Sequence, residues 1–104
     1  MEKLMITLTA IIRARRGAEA KVYSSLLEVA AYVQKHEPET IGFYISQDLN
    51  EPSLFTTFER FTNQAAMDHH NNGAGSKGFF VATENCLEGD VTVVIGKEIS
   101  QKKT

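Results

Sequence analysis

The residues best suited to chemistry in this sequence are two adjacent histidines, His69 and His70. On a helix, His70 shares a face with Ala66 and Met67, at spacings of four and three residues. That face is apolar, so we expect His70 to lie at a pocket. A neutral imidazole there could take a proton from a substrate hydroxyl, because its pKa is near neutrality. The alternative is a core histidine without a chemical role, and His69 is expected at the surface.

A carboxylate on a predicted strand is the second candidate. Glu59 alternates inward with Thr57 on a segment of strand-like composition. A carboxylate that points inward must be paired or solvated. Glu59 could therefore orient His70, or it could form an ion pair with Arg13 or Arg15.

A metal site is not expected. Adjacent residues on a helix do not converge on one ion, and the sequence has neither a Cys-x-x-Cys nor a His-x-x-x-His motif. The single cysteine, Cys86, cannot form an internal disulfide and is expected to pack as a buried thiol.

Length and charge exclude several classes of protein. The 104 residues are enough for one domain, and the net charge of −2 gives no excess of cations for nucleic-acid binding. The apolar stretch from Leu4 to Ile12 is too short to span a membrane, and its arginines follow rather than precede it. We therefore expect a cytoplasmic protein with no membrane or nucleic-acid partner.

The elements that must position these residues follow from hydrophobic periodicity. The patterns predict strands over 4–15, 40–47, 53–61 and 91–99, and helices over 18–37, 64–72 and 76–87. This order predicts an α+β, ferredoxin-like βαββαβ sandwich with an antiparallel sheet and both helical regions on one face. The last strand is apolar on both faces and is therefore expected in the centre of the sheet. We expect a single domain over 1–99 and a disordered tail over 100–104.

One face of such a sheet has no helices to cover it. A second copy of the chain, packed sheet to sheet, would bury that face. The sequence therefore predicts a homodimer.

Several motifs resemble a known family. Pro38 precedes a strand that contains Gly42, and a later strand ends in the Phe-Glu-Arg-Phe sequence of 58–61. The Ala-Ala-Met-Asp-His-His segment of 65–70 follows, and then Phe79-Phe80. Over about residues 5–99, the chain resembles the antibiotic biosynthesis monooxygenase-like (ABM) domain of the dimeric α+β barrel superfamily.

This resemblance implies a dimeric α+β barrel with a pocket between the sheet and the helices of each protomer. Some members of the family oxidise hydroquinones or anthrone-like polyketides with O₂ and use no metal or flavin, and others degrade haem. Thr57 and Phe61 stand where the cofactor-free oxygenases tend to have Asn and Trp. The first strand lacks the Asn of the haem-degrading members, which disfavours that activity.

The leading hypothesis is a cofactor-independent monooxygenase that oxidises a small quinol, anthrone or aromatic polyketide with O₂. The catalytic residues would be His70 as the base, Thr57 and Tyr44 as hydrogen-bond donors, and Glu59. The substrate-binding residues would be Phe55, Phe61, Met67, Asn72 and Phe80. Two alternatives remain: a non-redox polyketide cyclase, isomerase or lyase on the same fold, and a non-catalytic dimeric module that binds a ligand.

Overall fold

The computed structural model describes residues 5–102, so the predicted features at 1–4 and 103–104 lie outside the described residues. Its elements are β1 (Ile6–Arg13), α1 (Glu19–His36), β2 (Thr40–Gln47), β3 (Leu54–Phe61), α2 (Gln64–Asn71), α3 (Ala74–Ala82) and β4 (Thr92–Lys97). The predicted order of strands and helices is confirmed. The last helix is shorter than predicted, because turns replace helix after Ala82.

The four strands form one antiparallel sheet in the order β2-β3-β1-β4. The helices cover one face, which gives the predicted ferredoxin-like α+β fold. β2 and β3 form the expected hairpin. In the β1–β3 ladder, Leu8 is paired with Glu59 and Ala10 with Thr57. Paired residues point to the same face, so the polar side chains of β3 lie beside apolar side chains of β1.

The prediction that the last strand is central is wrong, because β4 lies at an edge and pairs only with β1. Val93 and Ile95 share the helix-covered face of the sheet with their β1 partners, yet they are 48% and 55% exposed. No helix extends far enough to cover them. Val93 borders a cavity, described below, so its apolar character does not require a second neighbouring strand.

Local signals set the ends of the helices near the site. Pro38 disfavours helical geometry at Glu37, and α1 ends at His36 as predicted. α2 begins after Asn63, whose side chain accepts a hydrogen bond of 2.8 Å from the backbone N–H of Ala66. These two ends place Glu37 and the buried face of α2 next to each other.

The core lies between α1 and the covered face of the sheet. Val22, Leu26, Val29 and Val33 of α1 are buried at the predicted helical spacing. They belong to one cluster with the inward residues of β1 and β3. The opposite face of the sheet carries exposed apolar side chains, including Ile11, Tyr44, Phe58 and Val94.

Candidate active site

A cavity of about 250 Å³ lies between the sheet and the helices. Its walls are mainly apolar, with side chains from β1, α1, α3 and the start of β4. Its polar groups are few, and no lysine or arginine lines it within the part of the chain that the structure describes. The polar lining residues are Thr57, Glu59, His70, Asn71 and Ser76.

His70 is the centre of the polar group and is only 4% exposed. Its Nδ1 lies 2.7 Å from Oε1 of Glu37, which is equally buried. The hydroxyl of Thr40 donates a second hydrogen bond of 2.8 Å to the same oxygen. Glu37 therefore holds the imidazole from the side away from the cavity and fixes a proton on Nδ1.

The other nitrogen of His70 is directed at two groups that line the cavity. Nε2 lies 3.2 Å from Oε1 of Glu59 and 3.3 Å from Oγ of Ser76. The Ser76 hydroxyl donates to the backbone carbonyl of His70 (2.9 Å), so its oxygen can accept from Nε2–H. Thr57 donates a hydrogen bond of 2.7 Å to Oε2 of Glu59 and holds that carboxylate in place.

Two carboxylate oxygens in this cluster are buried without a hydrogen bond. They are Oε2 of Glu37 and Oε1 of Glu59. Oε1 of Glu59 is within ion-pair distance of His70, but their approach does not have hydrogen-bond geometry. Because Glu59 lines the cavity, this oxygen is free to accept a hydrogen bond from a ligand.

The surroundings of His70 act on its pKa in opposite directions. Burial alone would lower the pKa of His70, but the adjacent carboxylates of Glu59 and Glu37 outweigh burial and raise it above its ordinary value of 6.5. This environment favours an imidazolium with Nδ1–H on Glu37 and Nε2–H at the cavity. His70 is thus better suited to stabilise an anion than to act as a free base.

Four of the predicted site residues line the cavity: Thr57, Glu59, His70 and Phe80. Of the two pairings considered for Glu59, the structure shows the one with His70. Arg13 instead lies 3.4 Å from Glu51, and Arg15 donates to the backbone carbonyl of Leu87.

Three predicted substrate-binding residues lie in the core and do not line the cavity. Phe61 is fully buried, and its ring centroid lies 5.5 Å from that of His70, so it supports the imidazole from behind. Met67 is buried on the inner face of α2. Phe55 packs edge-on against Tyr23 at 6.4 Å and borders a separate surface cleft.

Two other predicted residues point elsewhere. Tyr44 lies on the uncovered face of the sheet and stacks on Phe58, with a centroid distance of 6.3 Å. Because side chains alternate along a strand, the inward direction of Phe43 requires Tyr44 to point away from the cavity. Asn72 is the exposed C-cap of α2, and its neighbour Asn71 lines the cavity instead.

Sequence reasoning missed Glu37, Ser76 and Asn71. Glu37 is followed by Pro38, a signal that ends a helix but says nothing about what the glutamate contacts. Ser76 lies six residues after His70, at the start of α3. These three residues reach the site through the packing of α1, α2 and α3 against one another, which the sequence pattern does not record.

Within residues 5–102, no three His, Cys, Asp or Glu side chains are grouped so that they could bind a metal ion. None of the helices described there combines the length and apolar character needed to cross a membrane.

Comparison with protein families identifies the fold family. The model of the family described as "Antibiotic biosynthesis monooxygenase" (ABM) matches residues 5–81. This chain belongs to the ABM family. No curated protein matches the ABM chain described here.

Solved structures resemble this ABM domain over nearly its whole length. A protein from Caulobacter crescentus CB15, provisionally named an antibiotic biosynthesis monooxygenase, is 18% identical with a TM-score of 0.86, and the match covers 94% of this chain and 92% of that one. Protein PA3566 from Pseudomonas aeruginosa is 23% identical (TM-score 0.85, 93% and 96% covered). A conserved protein from Methanosarcina mazei Go1 is 19% identical (TM-score 0.83, 92% and 94% covered). At these identities the likeness establishes the fold.

Proposed function

We propose that this ABM protein is a cofactor-independent monooxygenase that oxidises a small hydroxylated aromatic compound, a quinol or anthrone-type molecule, with O₂. The observation that carries the proposal is the Glu59–His70 pair at the polar end of an apolar cavity. A hydroxyl placed there meets an unpaired carboxylate oxygen and an imidazolium N–H. The family membership supports the same class of reaction.

The first step is removal of the substrate proton. The hydroxyl donates to Oε1 of Glu59, which takes the proton, and the resulting aryl oxide accepts a hydrogen bond from Nε2–H of His70. The positive charge of the imidazolium stabilises the aryl oxide in a cavity that excludes most water. We therefore assign the base to Glu59 and the stabilising cation to His70, in place of His70 as the base.

The aryl oxide then supplies the electrons for O₂. It transfers one electron to O₂, and the two radicals combine at a ring carbon that bears a hydrogen to form a peroxide. Protonated Glu59 returns its proton to the peroxide. The O–O bond then breaks as the ring carbon loses its hydrogen, so that water leaves and a carbonyl remains. One oxygen atom enters the product and the other leaves as water, so a substrate with a C–H at that carbon needs no further reductant. The residues of the chain act by binding, deprotonation and charge stabilisation.

The test is O₂ consumption by the purified protein with a panel of hydroquinones and anthrones. Metal and flavin content are measured on the same sample, and an anaerobic reaction is the control. We expect uptake above the spontaneous rate, with product containing one atom of ¹⁸O from ¹⁸O₂. Uptake that is unchanged in both Glu59→Gln and His70→Ala would contradict the proposal.

A second function is favoured by the same acid–base pair. A carboxylate and an imidazolium on one substrate can move a proton between two of its atoms, as an isomerase, cyclase or lyase requires. Turnover of a panel compound under anaerobic conditions would support this function. Binding without turnover would instead support a ligand-binding module.

We also propose that the protein acts as a homodimer. The uncovered sheet face presents Tyr44 (58% exposed), Phe58 (41%) and Val94 (61%) to solvent. On the same face, Arg60 donates two hydrogen bonds to the carboxylate of Glu98, with N–O distances of 2.7 and 2.8 Å. A second copy packed on this face would bury the apolar side chains, and light scattering measures whether it does.

A further inference from the structure

The polar end of the cavity offers a ligand one acceptor and one donor, close together. The acceptor is Oε1 of Glu59, which accepts no hydrogen bond within the protein, and the donor is Nε2–H of His70, whose nitrogen lies 3.2 Å from that oxygen and 3.3 Å from Oγ of Ser76. Both side chains are about 95% buried, so water cannot replace a missing partner without entering the cavity. A ligand group that both donates and accepts satisfies both atoms.

The charge of the lining narrows the choice of ligand. Among the lining residues within 5–102 there is no lysine or arginine, and the cationic group described there, His70, is already flanked by two carboxylates. A ligand carboxylate would lie against Glu59 in an environment of low dielectric, where like charges repel strongly. An ether oxygen would accept from His70 and leave Glu59 without a donor.

We infer that Glu59 is a specificity-determining residue that makes the cavity select uncharged hydroxyl-bearing aromatic ligands and reject those that carry a carboxylate in the same place. The inference rests on the proposed function in one respect: it takes from it that the hydroxyl of the ligand lies against Glu59. Thr57 keeps the selecting oxygen in place, because its hydroxyl bonds to the other carboxylate oxygen of Glu59 at 2.7 Å.

The volume of the cavity determines which test ligands are suitable. A cavity of about 150 Å³ is known to hold one benzene ring. The cavity here is about 250 Å³ and opens past Phe80 and Val93. Two fused rings therefore fit, and naphthalene derivatives that differ in one substituent are suitable probes.

The experiment measures the dissociation constants of 2-naphthol, 2-methoxynaphthalene and 2-naphthoate at pH 7 by calorimetry. For the wild-type protein we expect 2-naphthol to bind roughly tenfold more tightly than the methyl ether, since the ether leaves a buried acceptor unpaired. We expect 2-naphthoate to bind at least as weakly as the ether. Equal affinity for 2-naphthol and 2-naphthoate, or no binding of 2-naphthol, would overturn the inference.

A substitution of Glu59 tests whether this residue causes the ligand preference. In Glu59→Gln, the preference for 2-naphthol over 2-naphthoate should fall about tenfold, because the repelling charge is gone. The control is Glu39→Gln, which removes the same charge from an exposed residue that does not line this cavity. An unchanged preference in Glu59→Gln, or an equal change in Glu39→Gln, would refute the role of Glu59. The ranking in the wild-type protein remains a test even if the variant does not fold.

Failure of this inference can be distinguished from failure of the proposed function. If carboxylated and uncharged quinols are oxidised at equal rates, the selectivity is wrong and the oxygenase reaction stands. If the binding order is as expected but no compound consumes O₂, the selectivity stands and the oxygenase proposal is wrong.

Discussion

Replacing Glu37 by Gln tests whether the buried carboxylate controls the charge of His70. The substitution keeps the size of the side chain, and its amide oxygen can still accept from Nδ1–H, which lies 2.7 Å from Oε1 in the native chain. Only the negative charge is removed. Since that charge helps to raise the pKa of His70, the pKa should fall in Glu37→Gln.

The same change should lower stability in a pH-dependent way. A buried hydrogen bond to a charged group contributes about 1.5–3 kcal/mol, which is the loss we expect in the free energy of unfolding. The folded-state pKa of His70 lies above the unfolded value of about 6.5. Its contribution is therefore fully present below about pH 6.5 and is lost as the pH rises through the folded-state pKa. The cost of Glu37→Gln should be largest near pH 6 and smaller in alkaline solution.

Two measurements check this prediction. The chemical shifts of the His70 ring, followed by NMR against pH, give its pKa, and urea unfolding at several pH values gives stability. Glu39→Gln is the matched control, because it removes the same charge two residues away at an exposed position. A His70 pKa that is equal in wild type and Glu37→Gln, or a stability loss independent of pH, would refute the reasoning.

Three further predictions concern packing and assembly. Gly75→Ala should lower the free energy of unfolding by about 1–3 kcal/mol, because the added Cβ would lie 2.7 Å from a ring carbon of Tyr32 in α1. Gly78→Ala, in the same helix, adds a Cβ that meets nothing within 4 Å and should raise the free energy of unfolding by about 0.5–1 kcal/mol. Thermal unfolding of both variants measures the difference. Phe58→Glu should shift the proposed dimer toward monomer in light scattering, and an undiminished dimer would exclude this face as the interface. Thr57→Val should cost about 1–3 kcal/mol by leaving Glu59 without its donor, while Thr57→Ser should cost less; equal losses would show that the hydroxyl is unimportant.

Alternation along β3 was sufficient to predict which of its residues face the helices. Alternation puts Thr57 and Glu59 on the inward face, and both are buried there together with Phe55 and Phe61. The helical spacing likewise put His70 on the buried face of α2. The face to which a side chain points follows from the repeat of a strand or a helix, and this repeat is visible in the spacing of apolar residues.

Positions along and across the sheet could not be predicted in this way. Phe55 and Phe61 face the same side as Thr57, but α1 and α2 fill the space over them, so only the middle of β3 reaches the cavity. β4 resembles a central strand because its apolar side chains border the cavity and the uncovered face. Its place at the edge depends on pairing with β1, more than 80 residues away in the chain.

The central contact of the site is also non-local. Glu37 and His70 are separated by 33 residues and belong to different elements. Neither residue has a spacing or neighbour that identifies the other. Glu59 and Glu37 both raise the pKa of His70, and the contact with Glu37 has no signal in the sequence.

The most direct test of the account compares O₂ uptake by wild type and Glu59→Gln over quinols of increasing acidity. If Glu59 removes the substrate proton, the variant should be slower by about 10²–10⁴-fold with weakly acidic quinols. With quinols that are already ionised at the assay pH the deficit should disappear, and the variant should become the faster protein, because the Glu59 carboxylate of wild type repels a ligand anion. An equal deficit across the whole series, or no deficit at all, would contradict the assignment of Glu59 as the base.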